Sequence, residues 1–147
     1  VRLDHIGLNV TDLSAMTRWY AAALDLVVEF EFAIEAVGLT GVMLRSADDS
    51  ADASADDPAD VYRIELLHRP DAVAGIQASS PVDAALTLGF SHLALDVPDV
   101  DAVHAALLGA GASDRMSPRP SPEPGVRVAF VADPEGNLIE LLDRTRT

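Results

Sequence analysis

The chain writes two of its phrases twice. LDHIGLNVTDL, from Leu3 to Leu13, returns as FSHLALDVPDV from Phe90 to Val100, with a histidine at the same place in each. IELLHR, from Ile64 to Arg69, returns as IELLDR from Ile139 to Arg144. Two phrases duplicated in the same order within 147 residues restrict the fold more than any single motif does. They predict two copies of one supersecondary unit, each opening at its histidine phrase and closing at its glutamate phrase.

Each histidine phrase runs into a helical pattern. Leu13, Met16, Thr17, Tyr20 and Leu24 recur at helical spacing in the first copy, and Val100, Val103, Leu107 and Leu108 in the second. Asp12 and Asp99 stand where an N-cap or first-turn acid belongs, and Gly111 is placed to end the second helix. Strand-like runs follow each helix, so each half reads strand, helix, then about three strands. The chain is expected to be one domain over 1–147: module one at 1–69, a linker at 70–87 and module two at 88–147. Pro70, Pro81 and Gly89 punctuate the linker. Glu65 lies 60 residues beyond His5, whereas Glu140 lies 48 beyond His92. The excess sits in SADDSADASADDPAD, residues 46–60, which holds six aspartates and no basic residue. Without a glycine at its sixth position or a closing glutamate it is no calcium loop, and it reads as a solvated surface loop. The tight turn DPEGN, Asp133 to Asn137, takes its place in the second half.

Alternation along strands assigns the faces. Ile6, Leu8 and Val10 are expected under the first helix, with His5, Gly7 and Asn9 turned the other way. Leu93, Leu95 and Val97 are expected under the second helix, with His92, Ala94 and Asp96 opposite. Glu65 and Glu140 likewise alternate with Ile64/Leu66 and Ile139/Leu141. Taken singly, a strand histidine is usually hydrogen-bonded structure and a strand glutamate usually exposed. The same two residue types at matched positions in both halves point instead to a metal site of two imidazoles and two carboxylates. The absence of cysteine leaves only nitrogen and oxygen ligands for that metal.

The remaining candidates have plainer readings. His68 falls on the strand face opposite Glu65, and its counterpart in the second copy is Asp143, so it is not expected to be a ligand. His104 has no histidine counterpart in the first helix and reads as a surface or helix-packing residue. Trp19 and Tyr20 read as core or interface aromatics.

Twenty-four acidic against ten basic residues give a formal charge of −14, which opposes nucleic-acid binding and adhesion to anionic membranes. No apolar run approaches a membrane span, and Arg2 and Asp4 stand where a secretory leader would be apolar. A cytoplasmic protein acting on a small molecule is expected.

On these residues the chain resembles the vicinal oxygen chelate superfamily, the group of glyoxalases, bleomycin-resistance proteins and extradiol dioxygenases. DHIGLNV, the WY pair at Trp19 and Tyr20, IELL, SHLALDV and VADPEGNLIELL carry the resemblance across nearly the whole chain. It implies an α+β fold in which two tandem βαβββ modules form a cupped, partly open β-barrel around one metal. It also implies His5, Glu65, His92 and Glu140 as ligands of one divalent ion, with zinc, nickel, cobalt, manganese and iron all compatible. Glyoxalase I-type lyases and methylmalonyl-CoA epimerases share such a set, and both take a proton from the carbon next to a carbonyl. By that resemblance Glu140 is the principal base and Glu65 the other catalytic carboxylate. Extradiol dioxygenases need only His5, His92 and Glu140, so Glu65 in a fourth position argues against oxygen chemistry. Drug-sequestering members usually lack the ligand set, which favours an enzyme over a binder. IELLHRP resembles epimerases, and DPEGNLIELL the glyoxalases. Asn9 stands where many glutathione-dependent bacterial glyoxalases have an arginine. Arg69 is either an anion-holding residue or a solvated strand-end charge. The family resemblance also implies a homodimer.

Overall fold

The computed structural model describes residues 1–47 and 61–144, so the acidic segment, from residue 48 onward, lies outside the described residues. The chain divides into two compact units, Val1–Ala72 and Val73–Thr147.

In the first unit Asp12 ends the extended chain. Its side chain accepts a hydrogen bond from the Ala15 N–H at 2.9 Å, and the helix α1 (Leu13–Ala23) begins there. Met16 and Tyr20, one turn apart, are 2% and 1% exposed, so a single stripe seats the helix. Asp25 takes a left-handed φ of 51° and turns the chain into the sheet. The strands are β1 (Ile6–Asn9), β2 (Leu26–Ile34), β3 (Leu39–Ser46) and β4 (Arg63–His68). They form one mixed sheet in the order β1-β4-β3-β2, with β1 parallel to β4 and the other pairs antiparallel. Ile64 and Leu66 of β4 and Leu44 of β3 are almost fully buried, and α1 packs against both strands. Burial fades along the edge strand β1: the adjoining Val10 is buried, Leu8 half-buried and Ile6 exposed. An edge strand has a neighbour on one side only, so the expected inward face of β1 is covered only at its helix end.

The second unit repeats the plan after a short helix, α2 (Pro81–Ala84). Its elements are β5 (His92–Asp96), α3 (Val100–Gly109), β6 (Ser113–Pro120), β7 (Arg127–Ala132) and β8 (Leu138–Asp143). The sheet order is β5-β8-β7-β6, with β5 parallel to β8 and the rest antiparallel. Each unit is therefore a βαβββ module. Asp99 caps α3 through the Ala102 N–H at 3.1 Å. At the other end Gly111, at φ 100°, donates to the Leu108 carbonyl, and Ala112 donates to that of Leu107. This pair of bonds is the glycine-closed helix end that the sequence leads one to expect.

The buried stripe of α3 differs from the expected one. Val100, His104 and Leu107 are buried, while Leu108 is 36% exposed. A histidine is tolerated there because its Nε2 meets Asp114 Oδ1 at 3.0 Å, and the Ser117 hydroxyl donates to the other oxygen at 2.6 Å. Ser117 first, and then His104, hold the Asp114 carboxyl below its ordinary value against the opposing pull of desolvation.

Between β7 and β8 the DPEGN turn is organised by one carboxylate. Asp133 is 1% exposed; its Oδ1 accepts from the Glu135 and Asn137 N–H groups and its Oδ2 from the Asn137 amide, each at 2.9 Å. Asp133→Ala would leave these part-buried donors without that acceptor, and a loss of about 2 kcal/mol is expected in chemical denaturation. A change below about 0.5 kcal/mol would show that the turn is held by its backbone alone.

Residues 76–84 pack on the second sheet. Ala78 and Ala84 are buried with Ala132 and Leu138, with Ile76 against the cluster, and the Gln77 amide donates to the Glu135 carbonyl at 3.3 Å. No helix among the described residues is long and apolar enough to cross a membrane.

Candidate metal-ligand pairs

In the first unit Gly7 is the register partner of Glu65 across the parallel β1–β4 pair. His5 lies two residues earlier on the same side and reaches Glu65 diagonally, Nε2 to Oε2 at 3.5 Å. In the second unit Ala94 is the partner of Glu140, and His92, again two residues earlier, reaches it at 3.1 Å between the same atoms. The duplicated phrases thus produce a duplicated geometry.

The residue beside each carboxylate is small for a physical reason. A methyl group built on Gly7 would meet Glu65 Oε2 at 3.5 Å, which is ordinary contact, so alanine fits at that place and larger side chains crowd it. Coverage is matched as well. The histidine side chains are 36% and 32% exposed and the glutamates 20% and 19%, so each pair is sheltered yet reachable from solvent.

Each imidazole is held from behind by the residue preceding it. His5 Nδ1 lies 2.8 Å from Asp4 Oδ1, and His92 Nδ1 lies 2.7 Å from Ser91 Oγ. The hydrogen bond to His5 holds the Asp4 carboxyl below its ordinary value, with desolvation opposing. Outer-shell partners of this kind orient metal-binding histidines through their second nitrogen.

Two features of the surroundings escape sequence reasoning. Met43 and Phe130, the register partners of Glu65 and Glu140 on β3 and β7, are 5% and 6% exposed. Phe130 also meets the His92 ring edge-on, with centroids 5.2 Å apart. In addition, β2 and β6 carry a β-bulge at the same place. The register shifts between Val28 and Phe30, opposite Leu44 and Met43, and again between Asp114 and Met116, opposite Val131 and Phe130. Both bulges adjoin the row that contains the glutamate, where an extra residue re-aims its neighbours. Only the shared hydrophobic alternation of the two halves hints at these features beforehand.

The other sequence candidates fall elsewhere. His68 Nδ1 bonds the Val10 carbonyl at 3.1 Å, tying β4 to the end of β1. Arg69 is engaged by Asp71 in an exposed pair at 3.0 Å. Tyr20 is core, and Trp19 packs against it edge-on at 4.8 Å.

The four expected ligands are therefore brought together two by two, His5 with Glu65 and His92 with Glu140. Among the described residues no group of three or more histidine, aspartate or glutamate side chains is gathered closely enough to hold a metal. The donor chemistry nonetheless fits. An imidazole nitrogen and a carboxylate oxygen 3.1–3.5 Å apart are donors that could supply half of a first-row divalent site.

The family model for the Glyoxalase/Bleomycin resistance protein/Dioxygenase superfamily matches residues 2–141. The chain belongs to this superfamily. Among solved structures, a glyoxalase family protein from Enterococcus faecalis superposes with a TM-score of 0.73 at 21% identity, covering 97% of both chains. Glyoxalase I from Zea mays gives 0.70 at 20% identity, covering 99% of this chain and 46% of the maize chain. The superfamily member described here thus spans less than half the length of that enzyme. The trypanothione-dependent glyoxalase I of Leishmania major gives 0.61 at 22% identity, covering 97% of this chain and 86% of that one. At these identities the likeness concerns the fold. No curated protein sequence matches the chain.

Proposed function

We propose that this superfamily member is a glyoxalase-like metalloenzyme that removes a proton from the carbon next to a carbonyl of a small oxygenated or thioester substrate. The observation that carries the reading is the twice-repeated pair of imidazole Nε2 and carboxylate Oε2, each beside a small strand residue and each backed through Nδ1. In this reading His5, Glu65, His92 and Glu140 serve one divalent metal within the cupped, partly open barrel that the family resemblance implies. Such a metal, when bound, supplies Lewis acidity toward the negative charge that develops on the substrate oxygen. The histidines hold position, Glu65 completes the donor set, and Glu140 accepts the substrate proton. Phe130, Leu138 and Leu142, on the Glu140 side of the sheet, keep water from the reacting carbon. A homodimer is part of the same proposal.

The test works whatever the final product is. Purified protein is analysed for metal, with light scattering to give the metal-to-chain ratio and the oligomeric state. It is then incubated in deuterated buffer with α-hydroxy thioesters and acyl-CoA thioesters. The expected result is one first-row metal per pair of modules in a dimer, and metal-dependent deuterium uptake next to the carbonyl of one class. Protein that acquires no metal, or that is metal-loaded and exchanges neither class, would remove the proposal.

A further inference from the structure

The second unit shows which residues of the first the module itself does not require. On the face that carries Glu65, the next row of the sheet sets Arg45 of β3 directly opposite Arg63 of β4. Two like charges in opposed register destabilise a sheet. The equivalent row of the second unit, one step from Glu140, sets Ala132 opposite Leu138, and Ala78, Ala84 and Ile76 cover it. The module is thus built equally well with an apolar row in that place. Only ten residues of the chain are basic against twenty-four acidic, and two of the ten meet beside Glu65.

The same row shows what it can grip. Glu29, the extra residue at the β2 bulge, is held by Arg63 through Nε at 2.8 Å and Nη2 at 3.2 Å. This is the forked hold by which a guanidinium takes a planar carboxylate. Arg63 first, and Arg45 more weakly, hold the Glu29 carboxyl below its ordinary value against the pull of desolvation. Arg45 also donates from Nη1 to the Ser46 carbonyl at 3.1 Å, which restrains its side chain. The Arg63 and Glu29 side chains are 28% and 29% exposed, so a solute reaches the pair. An ion pair this open is weak, and a carboxylate from outside can take the place of Glu29.

We infer that Arg63 and Arg45 form a carboxylate-binding subsite beside the His5–Glu65 pair, filled by Glu29 until the far carboxylate of a dicarboxylic acyl substrate displaces it. Spacing sets the substrate class. Arg63 and Glu65 are two residues apart on one strand face, a Cα separation of roughly 7 Å. The second carboxylate therefore stands several bonds from the reacting carbonyl, as in a glutaryl thioester, and not on the reacting carbon. The inference rests on the proton-abstraction reading above, but its first test needs neither metal nor turnover.

In that test the full chain, freed of metal and labelled with 15N-arginine, is titrated with monomethyl glutarate, which has one carboxylate, and dimethyl glutarate, which has none. Proton–nitrogen NMR follows the Nε–H signals, assigned with Arg45→Gln and Arg63→Gln. Monomethyl glutarate should shift both signals saturably and dimethyl glutarate neither. Arg63→Gln should weaken the binding by about 10-fold or more. Glu29→Gln, which removes the competing carboxylate, should tighten it several-fold, a gain that a damaged fold does not produce. The second test compares deuterium exchange into glutaryl and butyryl thioesters of one thiol by metal-loaded protein. Arg63→Gln should raise KM for the glutaryl thioester by about 10-fold or more with little change in kcat, and leave the butyryl thioester unaffected. Equal shifts by the two esters, unchanged affinity in Glu29→Gln, or a glutaryl KM indifferent to Arg63→Gln would overturn the inference. The expected binding, with no exchange into any thioester, would overturn the proton-abstraction reading and leave the carboxylate subsite standing.

Discussion

Replacing either His5 or His92 by alanine is expected to strip the protein of most of its metal while leaving its fold in place. The fold side of this expectation follows from position. His5 immediately precedes the edge strand β1 and His92 opens the edge strand β5, with side chains about one third exposed, at 36% and 32%. Neither is part of the buried set that seats α1 or α3. Exposed substitutions of this kind usually change stability by no more than about 0.5 kcal/mol. The metal side follows from donor count. In the proposed site each unit contributes two donors, and removing one imidazole leaves three, only one of them nitrogen, a weaker hold on a first-row ion. Elemental analysis after dialysis against a mild chelator, with circular dichroism on the same samples, reads both quantities. Full metal content in both His5→Ala and His92→Ala would sink the ligand assignment. Lost metal accompanied by lost helix signal would assign the histidines to the fold instead.

The modular plan was legible because duplication is a comparison internal to the chain. LDHIGLNV and FSHLALDV, aligned on their histidines, give two βαβββ modules without any propensity argument, and IELL marks the fourth strand of each. The N-caps were legible because Asp12 and Asp99 act on residues three positions away. Faces were legible where strands are covered on both sides, as with Ile64 and Leu66, and less so at Ile6, where β1 is an edge. What escaped depends on register or on distant partners. The two β-bulges have no residue signature, and they decide that Phe30 and Met116 fall in line with Met43 and Phe130. His104 is buried with its ring answered by Asp114 on β6, the strand after its helix. Ala78 and Ala84 are too few and too irregularly spaced to announce an element, yet Ala132 and Leu138 bury them. The His–Glu pairs themselves were expected from matched phrases.

The second large effect is expected at Glu140, whose replacement by glutamine should leave the metal bound and abolish proton transfer. The two glutamates are equivalent in register but not in surroundings. Along β8, Glu140 is flanked on its own face by Leu138, which is buried, and Leu142, which is half-buried, with Phe130 opposite it. Along β4, Glu65 is flanked by Leu67 and by Arg63, whose guanidinium is engaged by Glu29 at 2.8 Å. An apolar lining keeps water off the carbon that loses its proton, so a base placed there works without competition from solvent. The Glu65 side carries the Arg63–Glu29 ion pair where the Glu140 side has Leu138. In the proposed reading this difference favours Glu140 as the proton acceptor and leaves Glu65 to complete the donor set. Glutamine keeps an oxygen for the metal but has no site for a proton. Deuterium uptake into the active thioester class should fall by roughly 100-fold or more in metal-loaded Glu140→Gln. Glu65→Gln should lose metal affinity and keep a larger share of the exchange per metal bound. If the Glu140→Gln protein, fully loaded, exchanged at a near-normal rate while Glu65→Gln did not, the base would be Glu65, and the apolar lining of β8 would have to be explained by substrate binding alone.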